Sequence, residues 1–147
     1  MKLQITVDEQ PMNGYTYLNP NQGGDIFVLE GISDNECEEI LAPRIIDYIP
    51  INMMQAFAQS LVKKMRHGSK IIIGGTDLYE ICKNVVNFNA NTVQANLLLY
   101  GNQQNAWNIK RGQITLKDLV DLMDECGLKV IKKRLEGVEM CVEAIRD

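Results

Sequence analysis

The sequence of 147 residues contains a single histidine, His67, and this scarcity excludes a zinc site built from several histidines of one chain. The four cysteines are far apart and form no C-x-x-C pair, which argues against a zinc ribbon, a thioredoxin-type redox motif and a compact disulfide framework. Scattered thiols of this kind are most often small buried hydrophobic residues, here Cys37, Cys82, Cys126 and Cys141. We therefore predict no metal site.

Motifs for phosphate binding and for serine hydrolysis are also missing. Neither G-x-x-x-x-G-K-[ST] nor G-x-S-x-G occurs, so phosphate-loop nucleotidases and hydrolases with a nucleophile elbow are excluded. No apolar run approaches the ~20 residues that a membrane span requires, and the opening Met1–Gln4 does not begin a signal peptide. We expect a cytoplasmic protein with no membrane partner.

The chain has no excess of basic residues. It carries 15 lysines and arginines against 19 acidic residues, a formal net charge of -4, so a nucleic-acid partner is not expected. The one basic cluster, Lys129 to Arg134, falls on a predicted edge strand, where lysines commonly block edge pairing. With 46% hydrophobic and 23% charged residues, the composition is that of a folded globular protein, and we predict a single domain over residues 1–147.

Periodic apolar residues predict a helix over Ile51–Arg66 that ends near Gly68, followed by a central strand, Lys70–Gly75, covered on both faces. A second helix should begin at Thr76 or Asp77, and a third after Thr115. The chain should close with a hairpin. Its two strands are predicted over 128–135 and 138–145, with Gly137 in the turn.

The first third of the chain is predicted to be rich in strands. Four short β-like runs occur, over Leu3–Val7, Tyr15–Leu18, Asp25–Leu29 and Glu39–Ala42. Only Asp8–Gly14 separates the first two, and a parallel crossover normally needs a dozen or more residues. The first crossover helix is therefore expected to be shortened or absent, which leaves one sheet face less covered and favours self-association.

Residues 84–108 are unusual because eleven of these 25 residues are Asn or Gln. The segment predicts a helix over Val93–Tyr100 and a loop over Gly101–Gly112. Two interpretations remain open: a solvated cover pinned by its aromatic residues, or a lid over a binding pocket. The simple cover is the more frequent case.

Four segments, in the correct order and spacing, resemble small class I S-adenosylmethionine-dependent methyltransferases. Residues 34–50, DNECEEILAPRIIDYIP, are similar to the family's D-N-S-x-D-E-I-x-A-x-H-x-L-E-H-I-P, and residues 61–77 to its helix-to-strand passage L-x-x-x-L-K-P-G-G-x-L-x-I. Residues 114–131 resemble F-T-x-x-x-L-x-x-L-L-x-x-A-G-F-x-x-V, and residues 1–20 align with the compact opening x-K-L-N-I-G-C-G-x-x-x-x-x-G-Y-x-N-V-D-x. The resemblance spans nearly the whole chain. It implies a Rossmann-like α/β sheet, mostly parallel, with a C-terminal antiparallel hairpin.

The cofactor site implied by this resemblance differs from the family pattern at several positions. The glycine-rich loop after the first strand reads Thr6-Val7-Asp8, and the acid that holds the ribose hydroxyls reads Asn19. The adenine contact would fall near Leu29 or Glu30. The resemblance implies a cofactor-binding set of Thr6, Val7, Asp8, Asn19, Glu30, Ala42 and Arg44, with the methyl group near Ala42 to Arg44.

Loss of three binding features, each contributing about 1–2 kcal/mol, would weaken cofactor binding by about two to four orders of magnitude. We expect S-adenosylmethionine binding to be weak or lost. Two hypotheses follow: a divergent methyltransferase with an unknown small-molecule or protein acceptor, or an inactive methyltransferase-fold protein that serves as a binding or assembly module.

Four further residues are candidates for substrate binding. Asp77 follows the predicted fifth strand at the edge where open α/β sheets bind ligands, although a helix cap explains it equally well. Tyr79, Tyr100 and Trp107 are candidates for an aromatic lining there, with anchoring of the 101–112 loop as the simpler role. His67 is interpreted as a surface residue at a helix end.

Overall fold

A computed structural model describes residues 1–147 as a six-stranded sheet with four helices. The strands are β1 (Lys2–Ile5), β2 (Thr16–Leu18), β3 (Cys37–Ala42), β4 (Met65–Thr76), β5 (Lys129–Glu136) and β6 (Glu139–Ile145). The helices are α1 (Met54–Lys64), α2 (Leu78–Val86), α3 (Thr92–Tyr100) and α4 (Leu116–Glu125).

The strand order is β2-β1-β3-β4-β6-β5. The first four strands are parallel, whereas β6 runs antiparallel to both β4 and β5. This arrangement confirms the predicted Rossmann-like sheet with its C-terminal antiparallel hairpin. No helix lies between β1 and β2, as the short spacing predicts.

Helices α1 and α4 pack against each other and against the same face of the sheet. Apolar side chains at alternate strand positions fill this interface, among them Leu3, Ile40 and Ile73, and they meet Phe57 of α1 and Leu119 of α4. The opposite face has no helix, and the loop over residues 8–14 covers only its margin by bonding both ends of the buried Gln4 side chain. The prediction that β4 is covered on both faces is therefore wrong, because its Ile72 faces this side and is only half-buried.

The predicted strand Asp25–Leu29 is also wrong. The Asp25 carboxylate accepts hydrogen bonds from the amides of Phe27 and Val28, which folds the segment into a turn. Leu29 takes a positive φ of 54°, and its amide bonds back to the carbonyl of Asp25. The β propensity of the run is overridden by this local side-chain bonding, so β2 is the sheet edge.

Helix α1 ends at Lys64, earlier than predicted, and Met65 to His67 begin β4. Pairing with β3 places Met65 beside Cys37, and the Gly68 amide donates to the carbonyl of Arg146. These long-range bonds override the helical periodicity. His67 consequently lies on an exposed strand position rather than at a helix end, and its Nδ1 is 2.6 Å from the Asp147 carbonyl oxygen.

The remaining elements follow the sequence. Asp77 caps α2 by accepting from the Glu80 amide at 3.0 Å, and Thr115 caps α4 with a reciprocal bond from Asp118. Helix α3 matches the prediction for Val93–Tyr100 and begins at a capping box between Asn91 and Gln94. None of the helices is long and apolar enough to cross a membrane.

Candidate functional site

The carboxyl ends of β1, β3 and β4 meet at one edge of the sheet. The chain connects β1 to β2 on one side and later places β3 on the other, so the winding direction reverses at β1. Open α/β sheets bind ligands at such a reversal. Two cavities occupy this edge and share Asp8. The outer cavity, about 400 Å³, lies over β1 and β2, and the inner cavity, about 200 Å³, lies over the ends of β3 and β4.

The loop after β1 is organised by the hydroxyl of Thr6. Thr6 is fully buried, and its Oγ1 accepts from the amides of Asp8 at 3.3 Å and Glu9 at 3.0 Å. These are amides that a glycine loop would leave free to face a ligand. The Thr6 side chain therefore accepts the two hydrogen bonds that these amides would otherwise donate to a ligand. Val7 is buried as well, while Asp8 is exposed at the junction of the two cavities.

Asn19, the implied ribose contact, is 7% exposed and has partners for both ends of its side chain. Its Oδ1 accepts from the Asn21 amide at 2.9 Å, which caps the 3-10 turn Pro20–Gln22. Its Nδ2 donates to the Val7 carbonyl at 3.3 Å and to the Tyr17 hydroxyl at 3.0 Å. Asn19 thus holds β1, β2 and the following turn together.

The Asn/Gln-rich loop over residues 101–112 covers the outer cavity. Asn21 links it to the sheet, since its Nδ2 donates to Asn108 Oδ1 at 2.6 Å and its Oδ1 accepts from the Trp107 amide at 2.9 Å. The Trp107 ring lies 6.0 Å from that of Phe27, with the Arg111 guanidinium 4.6 Å above it. Trp107 anchors this loop, which favours the interpretation as a cover, while the loop's amide side chains line the cavity.

A buried ion pair forms the floor of the inner cavity. Lys110 Nζ lies 3.0 Å from Asp47 Oδ2, and their side chains are 9% and 4% exposed. The Thr76 hydroxyl donates to the same oxygen at 2.9 Å. The other carboxylate oxygen, Asp47 Oδ1, is buried and has no hydrogen-bond partner. An acceptor left unpaired in this way costs about 1–3 kcal/mol.

Lys110 also fixes the end of α3. Its Nζ donates to the Leu98 carbonyl at 2.9 Å, where a cation is favourable because the C-terminal end of a helix carries partial negative charge. Gln113 adds donor bonds to the carbonyls of Leu98 and Leu99 at 3.3 and 3.2 Å. The ion pair therefore couples the carboxyl edge of the sheet to the α3 segment.

Tyr48, together with Arg44 and Glu139 at the mouth, completes the lining of the inner cavity. Burial, with the negative charges of Asp47 and Asp8, raises the pKa of Tyr48 to about 12, so its hydroxyl remains protonated at neutral pH. At the mouth, Arg44 pairs with Glu139 at 3.1 Å, and both side chains are about half exposed. The cavity thus holds charges of both signs.

The structure brings most of the implied cofactor-binding set to this edge. Thr6, Val7, Asp8, Asn19 and Arg44 lie around the two cavities, and the buried Ala42 ends β3 beneath them. Glu30 is exposed in the turn that replaces the expected third strand and lines neither cavity.

The four implied substrate-binding residues are not brought into one cavity. Asp77 and Tyr79 lie beside a separate depression between α2 and α4. The Asp77 carboxylate is occupied there by the amides of Glu80 and Leu116. Tyr100 is 52% exposed, and Trp107 packs against Phe27 on the body of the protein.

Sequence reasoning missed Lys110, Thr76 and Gln113. One signal was present: Lys110 is the first charged residue after Lys83, so it ends a long charge-free stretch. Lys110 is directly followed by Arg111, and its buried partner Asp47 is 63 residues away in sequence, so the linear order does not reveal the pair. No group of three or more His, Cys, Asp or Glu side chains is arranged to hold a metal ion.

Comparison with known proteins gives similarity at the level of structure alone. No protein-family model and no curated protein matches the chain. Among solved structures, a Methanosarcina mazei S-adenosylmethionine-dependent methyltransferase aligns with TM-score 0.64 at 9% identity, over 99% of this chain and 82% of the other.

Two further solved structures contain S-adenosylhomocysteine. The Burkholderia thailandensis 1,6-didemethyltoxoflavin-N1-methyltransferase aligns at TM-score 0.58 and 9% identity over 90% of this chain, which spans only 52% of that protein. The Synechocystis magnesium protoporphyrin IX methyltransferase aligns with TM-score 0.58 at 12% identity. The alignment covers 92% of this chain and 52% of that protein. The protein therefore has the fold of the class I S-adenosylmethionine-dependent methyltransferases.

Proposed function

We propose that the chain is a divergent S-adenosylmethionine-dependent methyltransferase that binds its cofactor weakly. The observation that carries this proposal is the pair of neighbouring cavities, both lined by Asp8, at the winding reversal of a methyltransferase-type sheet. The outer cavity would hold the cofactor and the inner cavity the group that receives the methyl. The solved neighbours that contain S-adenosylhomocysteine support this choice of cofactor.

The charge and the hydrogen-bonding groups of the outer cavity suit the cofactor, whereas the loop after β1 does not offer free backbone amides. Glu9 and the amide side chains of Gln22, Gln104 and Asn105 line it and would hold ribose hydroxyls and the adenine edge. Asp8 and Glu9 are acidic, which suits a cofactor whose sulfonium and ammonium groups outnumber its single carboxylate. The backbone amides of Asp8 and Glu9 already donate to Thr6 and cannot bind the cofactor, so the affinity for the cofactor would be low.

When bound, S-adenosylmethionine supplies an electrophilic methyl group. The chain's own residues would bind and orient the acceptor: the protonated Tyr48 hydroxyl as a donor, and the Arg44–Glu139 pair at the entrance. The buried Lys110 holds the end of α3 over the inner cavity and thereby limits access of water. Positioning of this kind contributes most of the rate in a direct transfer that needs no covalent enzyme intermediate.

A second candidate function is a binding or assembly module without catalysis. The specific observation in its favour is that the side chains of Thr6, Asn19 and Asn21 bond to neighbouring backbone groups, and Asn21 also bonds to the 101–112 loop, as in a structural core. Partners would then be recognised by the surface, and the fold would be retained for its shape.

Isothermal titration calorimetry with millimolar S-adenosylmethionine separates the two functions. Saturable heat with one-to-one stoichiometry, reduced in Glu9→Gln but kept in a control such as Ser60→Ala on the exposed side of α1, supports the methyltransferase. Absence of heat together with absence of a thermal shift contradicts it. S-adenosylhomocysteine should bind less tightly, because it lacks the sulfonium charge that Asp8 and Glu9 favour.

We also propose that the helix-free face of the sheet contacts a second copy of the chain. Leu41, Ile72 and Ile145 are half-buried on this face, and residues of both charge signs surround them, which allows a surface to complement itself. Ile72→Lys should shift the protein toward monomer in sedimentation velocity. A wild-type protein that is already monomeric at millimolar concentration would contradict this proposal.

A further inference from the structure

The inner cavity contains one polar group whose bonding is incomplete. Asp47 is 3% exposed, and its Oδ2 is bonded by Lys110 and Thr76, but its Oδ1 has no partner. Buried carboxylate oxygens in folded proteins are almost always hydrogen-bonded, so an orphan calls for an explanation.

Gly75 lies directly beside this oxygen. Residue 75 is glycine, and a Cβ at this position would lie 2.8 Å from Asp47 Oδ1 and 2.7 Å from Ile46 Cγ2. Gly75 has no positive φ that would explain the absence of a side chain by backbone conformation. Both Gly75 and Asp47 line the inner cavity, so glycine is required here by the close approach of the Asp47 carboxylate, and no side chain of residue 75 separates that carboxylate from the cavity.

The charges of the cavity select among ligands. Its lining includes three carboxylates, those of Asp8, Asp47 and Glu139, against the two cations Arg44 and Lys110. The ammonium group of Lys110 directs its N–H donors at Asp47, Thr76 and the Leu98 carbonyl. It therefore has no free donor for an anion. The surplus of carboxylate charge disfavours anions and favours neutral or cationic ligands.

We propose that Asp47 Oδ1 accepts a hydrogen bond from an N–H group of a small amine bound in the inner cavity. The volume of about 200 Å³ is enough for one ring with a short side chain, since a cavity of about 150 Å³ holds benzene. This inference rests on the proposed function insofar as the amine is the methyl acceptor. As a binding site it stands without the cofactor.

The test is a nuclear magnetic resonance titration of the full chain with three probes. Benzylamine carries a charge and N–H donors, benzyltrimethylammonium carries the charge without donors, and benzoate has the opposite charge. Benzylamine should shift the amide signals of Gly75 and Thr76 and saturate, with at least tenfold tighter binding than benzyltrimethylammonium. Benzoate should leave these signals unchanged. Equal binding of both cations would overturn the proposal.

Variants assign the effect to Asp47. The double variant Asp47→Asn with Lys110→Met removes both buried charges at nearly constant volume, so folding should be retained, and benzylamine binding should weaken at least tenfold. Gly75→Ala would place a methyl group against Asp47 Oδ1, which should block binding at that oxygen while leaving both charges in place. Gln59→Ala, at an exposed position of α1 outside the cavity, is the matched control and should bind benzylamine as the wild type does; a loss of binding in this variant equal to that in the Asp47 variant would refute the proposal.

The outcomes separate this inference from the proposed function. Benzylamine binding without any heat from S-adenosylmethionine would retain the amine site and reject the methyltransferase. Cofactor binding without benzylamine shifts would do the reverse.

Discussion

The two halves of the carboxyl edge differ in how their polar groups are used. Over β1 and β2, Thr6, Asn19 and Asn21 donate or accept at each end of their side chains, and their partners are neighbouring backbone groups or the 101–112 loop. Over β3 and β4, a buried carboxylate keeps one oxygen unpaired where it packs against Gly75. The first half is bonded as a structural core would be, and the second retains a group able to bind a ligand.

This difference changes what each half can contribute to affinity. A ligand that displaces an internal hydrogen bond gains little, because the net value of one such bond is about 1 kcal/mol and it must first be broken. A ligand that completes an unpaired buried oxygen relieves an existing cost. The comparison therefore predicts stronger ligand recognition near Asp47 than at the loop after β1.

The largest expected effect is the loss of Lys110. Lys110→Met leaves the buried Asp47 without its cation, which should lower the free energy of unfolding by about 3–5 kcal/mol, as measured by urea denaturation. Adding Asp47→Asn should recover much of the loss, because both buried charges are then absent. A loss below about 1 kcal/mol in the single variant would show that water reaches the pair.

The next effect concerns the anchor of the loop. Asn21→Ala removes the bonds to Val7, Trp107 and Asn108, and should cost about 2 kcal/mol in stability. Hydrogen exchange of residues 101–112 should accelerate while that of β4 stays unchanged. The neighbouring Gln22→Ala is the matched control because Gln22 is exposed. Unchanged exchange in the loop would mean that Trp107 packing alone holds it.

A smaller effect is expected when Asn19, at the end of β2, is replaced by the acid found there in the methyltransferases that the sequence resembles. Asn19→Asp keeps the cap on Asn21 but loses the donor bonds to Val7 and Tyr17, so stability should fall by about 1–2 kcal/mol. Cofactor affinity in calorimetry should not rise, because the residue is 7% exposed and serves the fold. A tenfold gain in affinity would instead show that this half of the edge is a working ribose site.

The smallest effect is seen only at high pH. The pKa of Tyr48 is raised in the folded protein from 10.0 to about 12, so the stability gained by its protonated form is complete below pH 10 and is lost as the pH rises toward 12. Tyr48→Phe should therefore lose less stability than the wild type over this interval. Tyr15, whose pKa is also raised to about 12 by Glu39, remains in both proteins and serves as the internal reference. Parallel curves of unfolding free energy against pH for the two proteins would contradict the raised pKa of Tyr48.

Much of the fold could be predicted because its signals are local. The caps Asp77 and Thr115, the turn at Gly137 and the short Asp8–Gly14 connection each depend on residues near in sequence. The errors have two different origins, one long-range and one local. Met65 to His67 follow a strand partner rather than the helical period, and Asp25 turns a β-like run by bonding the next amides.

The sequence by itself determined the fold class, the absence of a crossover helix after β1 and the altered residues Thr6 and Asn19. Only the tertiary structure decided what those residues do, because hydrogen-bond satisfaction depends on which groups meet across the fold. Asp47 and Lys110 are brought together by the sheet edge and the α3 segment, so neither the buried ion pair nor the unpaired oxygen is visible in the linear order. The chemistry that a buried group can perform is set by what its neighbours leave unbonded.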